Sequence, residues 1–134
     1  MLQDEYVTVA STTSQPGSLT AKEELKTHRV QLVVHCKELA RFLRSVNEST
    51  WASWIDARVT EVSLAQPEGV CNLLDGFIGL GNIGDVFLCP EAGHSISPGD
   101  EAGINEQFLN LVSTVSSAAR KVQTLDQINC QRLP

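Results

Sequence analysis

The sequence has few of the residues on which nucleic-acid and membrane proteins depend. Aromatic residues make up only 5% of the 134 positions, too few for a platform on which single-stranded bases stack. Lys and Arg number 10 against 16 Asp and Glu, and the resulting formal charge of −6 argues against a phosphate-backbone interface. No run of about 18 apolar residues occurs, so the sequence predicts no membrane span.

The four cysteines lack the spacing of a metal or redox motif. They are separated by 35, 18 and 41 positions, without a Cys-x-x-Cys pair or a Cys/His cluster. The chain begins with acidic residues, whereas a secretory signal has a basic start and an apolar run. We therefore expect four reduced thiols, no bound metal or cofactor, and a cytoplasmic location.

Length and composition predict a single domain with one core. Hydrophobic residues make up 42% of the chain, which is typical of a folded protein of this modest charge. We expect residues 1–19 to form a flexible N-terminal arm, residues 20–126 a single helical domain, and residues 127–134 a C-terminal tail.

The first strong structural signal is a helix that begins at Thr20. Thr20 and Glu23 have the spacing of a capping box, in which each side chain binds a free backbone N–H of the first turn. No Gly or Pro interrupts the chain from there to Val46. Apolar residues follow at mostly helical steps, at Leu25, Leu32, Cys36, Leu39, Phe42, Leu43 and Val46.

Three further helices are predicted. The second runs from a cap at Asn47 or Ser49 to about Gln66, and Pro67 then starts a short third helix. Residues 90–103 are rich in Gly, Pro and Ser and are predicted to be a loop. A last long helix ends near Asp126.

A glycine-rich crossing separates the third and the last helix. The stretch Gly79–Gly84 matches G-x-G-x-x-G, which binds dinucleotides when a strand precedes it and a helix opens directly after it. Here the upstream segment has helical spacing, Asp85 adds a carboxylate, and Pro90 soon closes the downstream segment. We interpret the run as a tight turn.

Val86–Cys89 is too short for periodicity to distinguish helix from extended chain. The predicted fold is mainly all-α, a small bundle of three to four helices with one glycine-rich crossing.

No arrangement of residues predicts catalysis. The sequence contains no nucleophile elbow, metalloprotease or P-loop motif. His28 and His35 are seven positions apart on the first helix, too far for one metal ion to contact both rings. Cys89 and His94 are candidates for a nucleophile and a base, but no third residue orients them. We therefore predict that the protein is not an enzyme.

The charges are separated along the chain. Residues 20–46 contain six basic and three acidic residues, whereas residues 47–119 contain ten acidic residues and only Arg58 as a base. One interpretation is a solvated face that aids solubility and is partly balanced by the basic helix. The other is a docking surface for a basic protein, with Trp51 or Trp54 as an anchor if either is exposed, although their place on a stripe with Ile55 favours core packing for both. We assign this acidic surface to Asp85, Glu91, Asp100, Glu101 and Glu106.

The segments Trp51–Trp54, Leu73–Gly81 and Asn82–Val86, with the closing helix, resemble a family of small, uncharacterised bacterial helical domains. That family implies no activity. In size and charge the chain is similar to immunity proteins, which neutralise antibacterial toxins. The resemblance implies a cytoplasmic inhibitor that covers the basic active site of a toxin, without nucleic-acid or membrane partners. The alternative is a self-associating helical regulatory or structural module, such as a homodimer.

Overall fold

Four α-helices make up most of the part of the chain that the computed structural model describes, which is residues 20–78 and 81–126. They are α1 (Ala21–Ser45), α2 (Ser49–Ser63), α3 (Gly69–Asp75) and α4 (Glu101–Asp126). Three short 3-10 turns lie between α3 and α4, at Ile83–Asp85, Pro90–Ala92 and Pro98–Asp100. These residues contain no strand, and the predicted all-α bundle is confirmed. The predicted arm (1–19) and tail (127–134) lie outside the described residues.

The capping box at the start of α1 forms as predicted. The Thr20 hydroxyl accepts from the Glu23 N–H over 3.1 Å, and Glu23 Oε1 accepts from the Thr20 N–H over 3.0 Å. The backbone hydrogen bond from Thr20 lowers the pKa of the Glu23 carboxyl. At the other end, Asn47 adopts a left-handed φ of 66°, which ends the helical path two residues after Ser45.

Helix α1 is the centre of the bundle, and both α2 and α4 pack on it. Helix α4 is antiparallel to α1, because Arg29 pairs with Asp126 near one end while the rings of Phe42 and Phe108 stack near the other. The start of α4 therefore lies at the same end of the bundle as the end of α1. Buried α1 side chains face both neighbours, at Leu32, Cys36, Leu39, Ala40 and Leu43. Burial of each large apolar side chain contributes about 1.5–3 kcal/mol.

Helix α2 begins and ends at positions that differ from those predicted. Its cap is Glu48, rather than Asn47 or Ser49, and the Glu48 carboxylate accepts from the backbone N–H of Trp51 over 3.4 Å. The helix ends at Ser63 instead of about Gln66, since Ala65 has a left-handed φ of 55°.

The crossing between α3 and α4 resolves the open question about Val86–Cys89, which is extended. Leu88 is fully buried, and its backbone is held by the Asn105 side chain. Asn105 Oδ1 accepts from the Leu88 N–H over 2.9 Å, and Asn105 Nδ2 donates to the Leu88 carbonyl over 2.8 Å. The predicted loop at 90–103 is too long, because the 3-10 turn that begins at Pro98 leads directly into α4 at Glu101.

Candidate functional site

The described part of the glycine run is a turn whose backbone N–H groups are hydrogen-bonded by side chains of the same turn. The Asp85 carboxylate accepts from the Gly81 N–H over 2.8 Å, and Asn82 Oδ1 accepts from the Gly84 N–H over 2.6 Å. Gly81 has a positive φ of 74°. A 3-10 turn and extended chain follow, and helix α3 precedes the run. The N–H groups of Gly81 and Gly84 are thus already bound, and the tight-turn interpretation is confirmed for this part; residues 79 and 80 lie outside the described residues.

His94 connects the crossing to the turn between α1 and α2. Its Nε2 lies 2.9 Å from Glu48 Oε1, while its Nδ1 lies 3.0 Å from the backbone N and 3.2 Å from the carbonyl O of Cys89. The Cys89 N–H donates to Nδ1, which leaves Nε2 as the protonated nitrogen that donates to Glu48. His94 is only 8% exposed. Both ring nitrogens are therefore bound away from the Cys89 thiol, and the two residues lack the arrangement of a nucleophile and its base.

The Cys89 thiol instead lies beside two carboxylates. Glu91 is on the 3-10 turn that follows Cys89, and Glu101 is the first residue of α4. The donor atoms of the three residues all lie within 4.8 Å of one another. Thiolate and carboxylate groups both bind divalent cations such as Zn²⁺. Exposed carboxylates also gather without any ion, so the spacing alone does not define a metal centre.

The five residues of the acidic surface lie on the crossing and on the first turns of α4. Glu91 and Glu101 are brought together, although ten positions separate them, and Asp100 precedes Glu101 directly. Asp85 turns its carboxylate to its own turn. Within the described ranges, no hydrogen bond links Asp85 or Glu106 to the other three.

The acidic surface has no basic counterpart of its own. None of its five carboxylates forms an ion pair with Lys or Arg in the residues that the structure describes. Two of the three arginines of α1 pair elsewhere, Arg29 with Asp126 and Arg44 with Asp56, and Arg41 has no ion pair in the described residues. Over the described residues, the basic helix therefore makes no direct ion pair with these five carboxylates.

Trp51 and Trp54 pack on each other at the edge of the core. Both are half-buried, and their rings meet edge to face with centroids 5.4 Å apart. The guanidinium of Arg58 lies 5.3 Å from the centre of the Trp54 ring. The same ring occupies the space that a side chain at Gly76 would need. Neither tryptophan is fully buried, and contacts within the molecule hold both.

A groove along α1 is the feature that sequence reasoning missed. It has a volume of about 830 Å³, and its lining includes Ser63 at the end of α2 and Ala65 just after it. Val30 and Val34 are 56% and 49% exposed there. The other lining residues are Lys22, Glu23, Leu25, Lys26, Arg29, Val33 and Lys37. The available signal was a second apolar row on α1, three and four positions apart and separate from the core stripe. We name this feature the α1 groove.

The cysteines are not all reduced. Cys36 and Cys89 are free, but Cys71 is disulfide-bonded, and the expectation of four reduced thiols is wrong for Cys71. Spacing along the chain does not reveal which thiols meet in space. The remaining cysteine, Cys130, lies outside the described residues. Burial raises the pKa of the Cys36 thiol to about 12.

Comparisons with known proteins assign no family to this chain, so only its fold classifies it. No protein-family model, curated protein or solved structure matches it. The class that the fold defines is a small all-α bundle, and the resemblance to bacterial helical domains stays a prediction. Over residues 20–78 and 81–126, no helix has the length and apolar character needed to cross a membrane.

Proposed function

We propose that the protein is a non-catalytic binding protein whose acidic surface docks on a basic protein. In its specific form, it is an immunity-type inhibitor that covers the active site of a basic toxin. The observation that carries the proposal is that no basic side chain of the described residues pairs with the negative charge of this surface. All five carboxylates of the acidic surface lack a Lys or Arg partner in the described ranges. Unpaired charges of one sign attract an oppositely charged partner and accelerate association.

The Glu91–Glu101 pair is the part of this surface best suited to hold a basic side chain. Their carboxylate oxygens lie within 4.8 Å, so the two groups repel each other in the free protein. A guanidinium or ammonium group placed between them would remove that repulsion and bind both. We therefore expect an Arg or Lys of the partner to contact both residues.

A cytoplasmic location is part of the immunity-type proposal, and the state of Cys71 bears on it. Disulfides form and persist mainly in oxidising compartments. Cys71 is disulfide-bonded, so the compartment in which the chain acts has to be tested together with the activity. Co-expression tests should therefore use both a cytoplasmic and an exported form of the chain.

The first test is a growth assay with the product of the neighbouring gene. That product is expressed in a bacterial host alone and then together with this chain. Toxicity that co-expression relieves, with co-purification of the two proteins, would support an inhibitor and supply its target. Absence of toxicity, or toxicity without rescue, would contradict the immunity-type form.

The second test examines the surface itself, with the co-purified partner. Reversing Asp100 and Glu101 to Lys should slow association about tenfold at low salt, with less effect at high salt. The matched control reverses Glu24 and Glu38 on α1, which is the same total charge change outside the acidic surface. Circular dichroism verifies that both variants fold. Equal effects of the two variants would contradict docking through the acidic surface.

Self-association is the second candidate, and one observation favours it. Packing the bundle leaves apolar side chains exposed on α1 at Val30 and Val34, and Leu64 after α2 is 65% exposed. An apolar face that remains after one bundle is packed is the feature expected of a helical module that pairs with itself. Light scattering of the purified chain tests it, since a stable dimer without a partner would favour this candidate over the inhibitor.

A further inference from the structure

The α1 groove combines an apolar floor with unpaired cations. Leu25, Val30, Val33 and Val34 supply the apolar part. Of the groove's cations, only Arg29 has an ion pair among the described residues, with Asp126. The remaining three are the lysines, at Lys22, Lys26 and Lys37. The groove's one acid, Glu23, is held by Thr20 in the capping box, so the four cations leave the lining positive. Such a site fits a ligand that is apolar along its length and negatively charged.

The distribution of cations along the groove gives the ligand a direction. Lys22, Lys26 and Arg29 lie on successive turns at the start of α1, whereas Lys37 is alone near the far end. Three cations thus occupy about 10 Å of the helix, at 1.5 Å per residue, and the whole groove spans about 22 Å. The valines lie between the two ends. A single anionic head at the start of α1, followed by a long apolar chain, matches this order.

Two other occupants match the groove less well. In a symmetric dimer through this face, the lysines of both copies would lie in one interface, and their like charges would repel. An acidic helix of another protein would carry its charges along its whole length, whereas the groove's cations are concentrated at one end. The volume of about 830 Å³ lies in the range of small-molecule sites.

We propose that the α1 groove binds a free long-chain fatty acid as its anion. The carboxylate lies between Lys22 and Lys26, and the acyl chain lies over the valines. The acyl chain packs on Val30 and Val34 and is thereby removed from water. The same contact buries the two valines, which are exposed in the free protein. The site is separate from the acidic surface, so the proposal is independent of docking on a basic protein, but it competes with self-association, which would use the same valines.

The test is displacement of an anthroyloxy-labelled fatty acid by palmitate, below the critical micelle concentration. Palmitate should displace the label, and hexadecyltrimethylammonium, with the same chain and the opposite charge, should bind at least about tenfold more weakly. Lys26→Glu and Val34→Asp should each weaken palmitate binding about tenfold, by charge repulsion and by a carboxylate placed against the acyl chain.

The matched controls make the same changes outside the groove. Arg41→Glu reverses an exposed cation on α1, and Leu109→Asp replaces an apolar residue of α4 that is 50% exposed, close to the value for Val34. Both should retain the palmitate affinity of the parent protein. All four positions are solvent-exposed, so the variants are expected to fold, which circular dichroism verifies.

Four results would overturn the proposal. The first is the absence of displaceable binding, and the second is binding that Lys26→Glu and Val34→Asp leave unchanged. The third is a dimer in light scattering that Val34→Asp dissociates, which would assign the groove to a second copy. The fourth is sedimentation with phosphatidylglycerol vesicles in the absence of palmitate binding, which would assign it to a membrane surface.

Discussion

Glu48, in the turn between α1 and α2, is joined to His94, in the crossing, by a contact of 2.9 Å between Glu48 Oε1 and His94 Nε2. The second oxygen of the same carboxylate accepts from the Trp51 N–H at the start of α2. Nearby, the Ser95 N–H donates to the carbonyl of Val46. One carboxylate therefore both caps a helix and holds the crossing against the α1–α2 turn, although 46 positions separate it from His94.

Replacing His94 should destabilise the protein by removing this connection. His94→Ala leaves the part-buried Glu48 carboxylate with only the Trp51 N–H as a partner, and we expect the free energy of unfolding to fall by about 1–3 kcal/mol. Urea denaturation measures the change. His35→Ala is the control, because His35 pairs with Glu38 on the exposed face of α1 and such pairs contribute at most about 1 kcal/mol. Equal losses in the two variants would contradict the assigned role.

Gly76 should not tolerate a side chain. A Cβ atom at this position would collide with the ring of Trp54, which is itself held by Trp51 and Arg58. Gly76→Ala should lower the free energy of unfolding by about 1–3 kcal/mol, a cost typical of overpacking. Gly99→Ala is the matched control, because nothing lies within 4 Å of the added Cβ. A Gly76 variant as stable as the Gly99 variant would show that the Trp54 ring can move away.

The two free thiols should differ in reactivity. Cys36 is buried, and its pKa of about 12 leaves almost no thiolate at neutral pH, whereas Cys89 is partly exposed. Iodoacetamide at pH 7.5 should modify Cys89 and leave Cys36 intact until denaturant is added. Peptide mass spectrometry locates the adduct. Modification of Cys36 in the native protein would show that this part of the core opens readily.

Locating the adducts should also reveal the disulfide of Cys71. Because Cys36 and Cys89 are free and Cys71 is oxidised, alkylation of the denatured, unreduced protein should label Cys36 and Cys89 but not Cys71. Prior reduction should add a label at Cys71. Peptide mass spectrometry distinguishes the two states. A label at Cys71 without reduction would show that this thiol is reduced.

The helical bundle could be predicted because its signals are local. Thr20 and Glu23 are three positions apart, and the apolar steps of α1 depend only on helix geometry. The start of α4 was missed because its preceding turn at Pro98 has the composition of a loop. The end of α2 depends on the left-handed backbone of Ala65, which residue type does not indicate.

The candidate sites could be predicted only in part, because they depend on contacts between distant segments. Charge counting identified Glu91 and Glu101 separately, but their approach beside Cys89 follows from how the crossing meets α4. The same holds for His94, whose ring binds Glu48 instead of the thiol five positions before it. The α1 groove was missed because Val30 and Val34 match helical spacing as well as core residues do.

The central position of α1 also has a consequence for the order of folding. Its contacts with α2 span a short turn, whereas the Arg29–Asp126 pair with α4 closes a loop of 97 positions and has a larger entropic cost. We expect α1 and α2 to pair in the transition state and α4 to dock afterwards. Truncation of Val115 on α4 should then mainly accelerate unfolding, whereas truncation of Ile55 on α2 should mainly slow refolding, in stopped-flow kinetics.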